Sequence, residues 1–167
     1  MTIVATPPKP SILDKLLGGS LEEGVRVHQH FYVPRLDRFN ETDLRAVIQR
    51  DIAWLLNDIQ FEAAIALDDY PEIRTSVVNQ GLPELIGRAL DSDTMARRGE
   101  EIRTALRAFE QRLRPETITV TFDTSRIEAE NKLHFSIGGE IRNAREEAWV
   151  QFNTTVDLDD GKVEVAS

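Results

Sequence analysis

The chain has 167 residues, no cysteine, and 20 basic against 29 acidic residues for a net charge of −9. That length suits one domain with its own core, while disulfides, thiolate nucleophiles and Cys-ligated zinc are excluded. The acidic balance offers no basic footprint for nucleic acid or anionic membrane and favours protein partners.

Residues 1–10 contain Pro7, Pro8 and Pro10 and read as an extended tail, without the basic start and apolar block of a cleaved export signal. No run reaches about 18 apolar residues, so no membrane-spanning helix is predicted. Residues 11–17 predict a short amphipathic helix. Ser11 is its cap, Ile12, Leu13, Leu16 and Leu17 share one face, and Gly18-Gly19 is its stop. Such a helix either folds back on the core or docks in a partner's groove. Residues 20–39 read as loop, with a short strand near 27–33. Asn40, with Asp43 three positions on, caps a long helix over 41–58. That helix carries Leu44, Val47, Ile48, Ile52, Leu55, Leu56 and Ile59 at three- and four-residue steps. Pro71 opens a short helix, and Gly81 takes a positive φ. Further helices follow over 83–90 and 94–113, the last with Met95, Ile102, Ala105, Leu106, Phe109 and Leu113 inward.

Beyond Pro115 the apolar period changes to two. Ile118, Val120 and Phe122 alternate with threonines, then Leu133, Phe135, Ile137 and Ile141, then Val150, Phe152, Thr154, Val156 and Leu158. Gly138-Gly139 marks a bulge or a close backbone approach. Asp160-Gly161 is a tight turn before a fourth short strand. Helices followed by an antiparallel β-meander over about 116–165 make an α+β fold, with one domain over 11–167 behind the tail.

Few constellations carry chemistry. His28-x-His30, with His134, contains metal-ligand residue types, but no spacing links them, and solvated or packed histidines account for them. Asp157 to Gly161 lacks the oxygen spacing of a calcium loop. No phosphate loop, dinucleotide fingerprint or nucleophile elbow occurs. No cofactor, metal or catalytic residue is expected. The more specific feature is Phe109-Glu110-Gln111-Arg112-Leu113, where the last helix meets the first strand. Arg112 and Arg114 fall in that helix's expected last turn, where cations complement its dipole.

These residues carry a resemblance. Ser11-Ile12-Leu13-Asp14-Lys15-Leu16, Arg50-Asp51-Ile52-Ala53-Trp54-Leu55-Leu56-Asn57, Tyr70-Pro71-Glu72 and Ser76-Val77-Val78-Asn79-Gln80-Gly81-Leu82-Pro83 occur in register. Ile102 with Phe109-Glu110-Gln111-Arg112-Leu113, Leu133-His134-Phe135-Ser136-Ile137, and Thr155-Val156-Asp157-Leu158-Asp159-Asp160-Gly161 follow. Together they resemble the lysozyme-like baseplate component of type VI secretion systems, a family that belongs with the phage T4 baseplate wedge proteins. Gln111 stands where that family has a proline, and Gln80 where it has an aromatic residue.

The resemblance implies a structural, non-enzymatic part of a hetero-oligomeric complex. Such a protein joins other wedge subunits to the first ring of the contractile sheath, at the cytoplasmic face of the inner membrane. It starts sheath growth by strand pairing at an open sheet edge. Glu110, Gln111 and Arg112 are the implied contact residues, and Leu13, Leu16 and Leu17 form the expected docking face of the first helix. The competing functions are a lysozyme-type peptidoglycan hydrolase, for which no acid–base pair can be placed, and the equivalent wedge protein of a phage tail or other contractile device.

Overall fold

A computed structural model of the protein describes residues 7–22, 31–83, 92–123, 132–142 and 148–166. His28, His30, most of the expected 27–33 strand and nearly all of the expected 83–90 helix lie outside them; residues 31–33 are not strand.

Helix α1 spans Ile12–Glu22. Ser11 opens it with a capping box: its Oγ accepts from the Asp14 N–H at 3.1 Å, while its own N–H and hydroxyl donate to Asp14 Oδ2 at 2.8 and 2.7 Å. The helix runs through Gly18 and Gly19 instead of stopping there. An interior glycine costs only about 1 kcal/mol relative to alanine and is no stop on its own. Helix α2, Glu41–Asn57, begins with a second capping box, between Asn40 and Asp43. Leu44, Val47, Ile48, Ile52, Leu55 and Leu56 are its buried stripe, and Arg50 is buried with them.

The chain then makes an excursion closed at its neck by a parallel bridge between Ile59 and Leu82. The Leu82 N–H donates to Asp58 O at 2.9 Å, and the Gln60 N–H to Leu82 O at 3.1 Å. Gly81, at φ 126°, fits this neck because a Cβ there would lie 2.6 Å from the Asp58 carbonyl oxygen. Pro71 precedes 3-10 turns over Ile73–Thr75 and Val77–Asn79, not an α-helix. Buried Asn79 ties the excursion together, accepting from the Glu62 N–H at 2.9 Å and donating to Arg74 O at 3.2 Å.

Helix α3, Ser92–Phe109, ends four residues before the expected Leu113. Three competing hydrogen bonds stop it. The Glu110 carboxylate takes the Arg112 N–H at 2.9 Å. Leu113 bridges Ile141, with the Arg142 N–H on Arg112 O at 2.7 Å and the Arg114 N–H on Glu140 O at 2.9 Å. Arg112 and Arg114 therefore lie beyond the helix, and Arg107 is the cation of its last turn.

Four strands follow: β1 Thr119–Asp123, β2 Lys132–Glu140, β3 Trp149–Asp157 and β4 Val163–Ala166. They form an antiparallel sheet in the order β1-β2-β3-β4. The register aligns apolar rows on one face, with Val120 opposite Ile137 opposite Phe152, and Phe122 opposite Phe135 opposite Thr154 opposite Val165. Helix α2 packs on the β4 side of this face and α3 on the β1 side, making one core. Pairing continues through Gly138 and Gly139 without a bulge. Gly138 is a close approach instead: a Cβ there would sit 2.6 Å from Trp149 Cζ2 and 2.8 Å from Thr119 Oγ1.

Thr154 places a hydroxyl in the apolar row, 1% exposed and with no hydrogen-bond partner among the described residues. Replacing an unsatisfied buried hydroxyl with a methyl removes a desolvation cost. Thr154→Val is expected to raise unfolding free energy by about 1 kcal/mol, read by urea melts; equal or lower stability refutes this.

Candidate functional site

Helix α1 meets α2 by an unexpected face. Asp14 is fully buried, whereas Ile12, Leu16 and Leu13 are 78%, 67% and 44% exposed. Leu17 is half-buried. The helix docks by its carboxylate and turns most of its apolar stripe outward.

The partner of Asp14 is Arg50, itself only 5% exposed. Arg50 Nη2 lies 2.9 Å from Asp14 Oδ1 and 2.6 Å from Asp51 Oδ1. Its Nε–H donates to Asp51 Oδ1 at 2.7 Å and its Nη1–H to Tyr32 O at 3.1 Å. The guanidinium stacks 4.7 Å from the centre of the Trp54 ring, against which Phe31 sits edge-on at 5.1 Å. One side chain thus joins α1, α2 and the segment before α2.

Arg112 closes the cluster from the α3 side. Its Nη1 lies 2.5 Å from Asp51 Oδ2 and 3.5 Å from Glu110 Oε2, and its Nη2 is 3.7 Å from Asp14 Oδ2. Three carboxylates, Asp14, Asp51 and Glu110, share two guanidiniums. Burial pushes the Glu110 carboxyl up to about 7, against the lowering pull of the Arg112 charge and N–H; the Asp51 charge adds to the rise. At Asp14 burial also acts upward, but the bonds from Ser11 and Arg50 outweigh it and hold the carboxyl below its ordinary value. Burial lowers Arg112, yet Glu110, Asp51 and Asp14 keep it above the usual guanidinium range.

Beside this cluster lies a cleft of about 350 Å³ lined by Leu13, Trp54, Leu55, Gln80, Phe109 and the Glu110–Arg112 turn, with Ser11 and Asp51 at its edge. The structure therefore brings together Leu13, Glu110, Gln111 and Arg112. Leu16 and Leu17 do not line it. Gln111 is exposed. Asp14, Arg50, Asp51 and Trp54 belong to the site although periodicity gave them no such role. The available signal was Arg50-Asp51 set between Ile48 and Ile52 of a buried stripe.

The arrangement is suited to holding elements together. Both oxygens of Asp51 are occupied by arginines, and Glu110 is 5% exposed with Oε1 on a backbone N–H. Among the described residues no three His, Asp or Glu side chains are grouped to hold a metal. No helix among them is long and apolar enough to cross a membrane.

The two edges of the sheet differ. The Asp157 N–H bonds Lys162 O at 2.9 Å, so by antiparallel alternation Val163 and Val165 turn their backbone groups away from β3. Helix α2 takes three of these four groups. The Val163 N–H donates to Asn57 Oδ1 at 2.9 Å, Asn57 Nδ2 donates to Val163 O at 2.8 Å, and Gln49 Nε2 to Val165 O at 2.8 Å. The same alternation turns the backbone of Val120 and Phe122 outward from β1, which among the described residues pairs with β2 alone.

Residues 42–146 match the family model described as baseplate wedge protein gp25. No curated protein and no solved structure matches the chain.

The cluster sets both stability and its pH dependence. Arg50→Met leaves Asp14 buried without its cation and is expected to cost about 3–5 kcal/mol of stability, measured by denaturant unfolding; a loss below about 1 kcal/mol contradicts the geometry. For Glu110, the folded carboxyl titrates near 7 and the unfolded one near 4.5. The folded state then binds more protons between these values, so this group's contribution to stability falls as pH rises from about 4.5 to about 7. Glu110→Gln should remove that slope, its stability relative to wild type improving across the window; parallel pH profiles contradict the assignment.

Proposed function

Because the chain belongs to the baseplate wedge protein gp25 family, we propose that it is the lysozyme-like baseplate component of a type VI secretion system, a structural wedge protein that joins other wedge subunits to the first ring of the contractile sheath. It acts at the cytoplasmic face of the inner membrane. The family match supports the wedge role, and the Ser11–Leu16 opening, outside the matched residues, favours the secretion system over a phage tail.

The observation that carries the sheath contact is the asymmetry of the sheet. An incoming strand needs a row of unpaired main-chain groups. The outer edge of β4 is occupied by Asn57 and Gln49, so the growing sheath pairs at β1, through Val120 and Phe122. The outward apolar face of α1, Ile12, Leu13 and Leu16, is the docking surface for a wedge neighbour, held in place by Asp14. In this reading Glu110 and Arg112 also fix α1 and the helix–strand turn.

Val120→Pro tests the edge. Proline there removes an N–H that points away from β2 and leaves the internal ladder complete. Sheath polymerisation on the purified wedge is expected to fall about tenfold or more while the melting curve stays near wild type. Thr121→Pro, whose N–H faces β2, should unfold the protein. If Val120→Pro does not fold, cross-linking from Thr121→Cys in this cysteine-free chain reads the same contact. Normal polymerisation by folded Val120→Pro, or no cross-link to sheath protein, overturns the β1 assignment. Affinity capture from host cells tests the assembly. Recovery of secretion-system wedge and sheath proteins supports it, recovery of tail proteins moves the chain to a phage device, and release of fragments from purified peptidoglycan revives the hydrolase.

A further inference from the structure

The cleft beside the charge cluster has a charge mismatch built into its wall. Asp14, Asp51 and Glu110 share Arg50 and Arg112. The four oxygens of Asp14 and Asp51 have close partners: Ser11 on Asp14 Oδ2, Arg50 on Asp14 Oδ1 and Asp51 Oδ1, and Arg112 on Asp51 Oδ2. Glu110 receives what remains. Its Oε1 takes one backbone N–H, and the nearest cationic nitrogen to its Oε2 is Arg112 Nη1 at 3.5 Å, already committed to Asp51 at 2.5 Å. Among the described residues, three carboxylates against two guanidiniums leave the cluster one positive charge short of balance once Glu110 is ionised.

The cleft has room for a further cation. Its volume of about 350 Å³ is bounded by apolar Leu13, Leu55 and Phe109, by the Trp54 ring, and by Glu110 with Arg112 at the wall. An arginine side chain has the matching character, with a methylene stem for apolar walls and a planar fork for carboxylates and aromatic faces. We propose that this cleft receives an arginine side chain from a partner protein, its stem along Leu13 and Phe109 and its guanidinium on Glu110. Within the chain, Gln111 sits exposed at the rim and Leu13 extends the wall into the exposed face of α1, so an arginine anchor would be continuous with an apolar contact on that helix. Such an anchor deepens the wedge role by giving a partner its chemistry, yet arginine binding depends on the cleft alone and is measured without wedge or sheath.

The probe is N-acetyl-arginine amide, with the neutral isostere N-acetyl-citrulline amide as control. Full-length protein carrying Trp149→Phe has Trp54 as its single tryptophan, and its fluorescence reports occupancy. A saturable change is expected with the arginine probe at about pH 8, with about tenfold weaker binding for the citrulline probe. Glu110→Gln should weaken the arginine probe about tenfold with the melting curve still cooperative. If that variant does not fold, pH serves instead. The groups facing Glu110 are Asp51 and Arg50 from α2, Asp14 from α1 and Arg112 from its own turn. Of these, Glu110 alone has its carboxyl raised, to about 7, so arginine binding should weaken as pH falls from about 8 to about 6. No saturable response at about pH 8, equal binding of both probes, or pH-independent binding overturns the proposal. Failure of sheath assembly with intact arginine binding would fault the wedge reading and leave this one standing.

Discussion

Arg50 places a guanidinium in the middle of a buried helical stripe, where water cannot solvate it. Removing such a charge from water costs several kcal/mol unless every donor finds an acceptor. The structure meets this with Asp14 from α1, Asp51 from the next position on α2, the Tyr32 carbonyl from the preceding segment and the Trp54 face. Each acceptor belongs to a different part of the chain or constrains one. Helix α1 is held by a carboxylate rather than by its leucines, and Leu13 and Leu16 turn outward.

The same cluster determines how α3 ends. Arg112 reaches Asp51 only if the chain leaves the helix after Phe109, and the Glu110 carboxylate on the Arg112 N–H holds that exit. Leu113 can then bridge Ile141 and bring the chain onto the first strand. In this chain Gln111 occupies the turn without the rigid ring of a proline, and side-chain bonds on both sides set its geometry. The helix–strand junction and the α1 docking site are therefore one electrostatic unit.

At the far side of the core, α2 treats the sheet as an edge to be closed. Asn57 and Gln49 supply to β4 the main-chain partners that a fifth strand would have supplied. Among the described residues β1 pairs with β2 alone. The two edges of the sheet are therefore unlike, and only the β4 edge is closed by α2.

Much of the fold was legible in the sequence because its cause is local. The stripe from Leu44 to Leu56 has helical period, Asn40 and Asp43 form a capping box within one turn, and the alternation after Pro115 can be satisfied only by strands. The family motifs likewise brought Glu110 and Arg112 forward. What stayed hidden depends on partners distant in sequence. Gly18-Gly19 read as a stop, yet the helix continues to Glu22. The end of α3 read as Leu113, because periodicity does not register the Leu113–Ile141 bridge that terminates it. In the sequence Asp14 stands only within the Ser11–Leu16 motif, and only the approach of Arg50, 36 positions on, makes it the anchor of that helix. By itself the sequence determined the elements, their order and the apolar faces, since these follow from spacing of a few residues. The tertiary structure decided which charges meet, which helix face turns outward and which sheet edge is capped, because buried ionic pairing and edge capping are set by chain segments that meet only in the folded state.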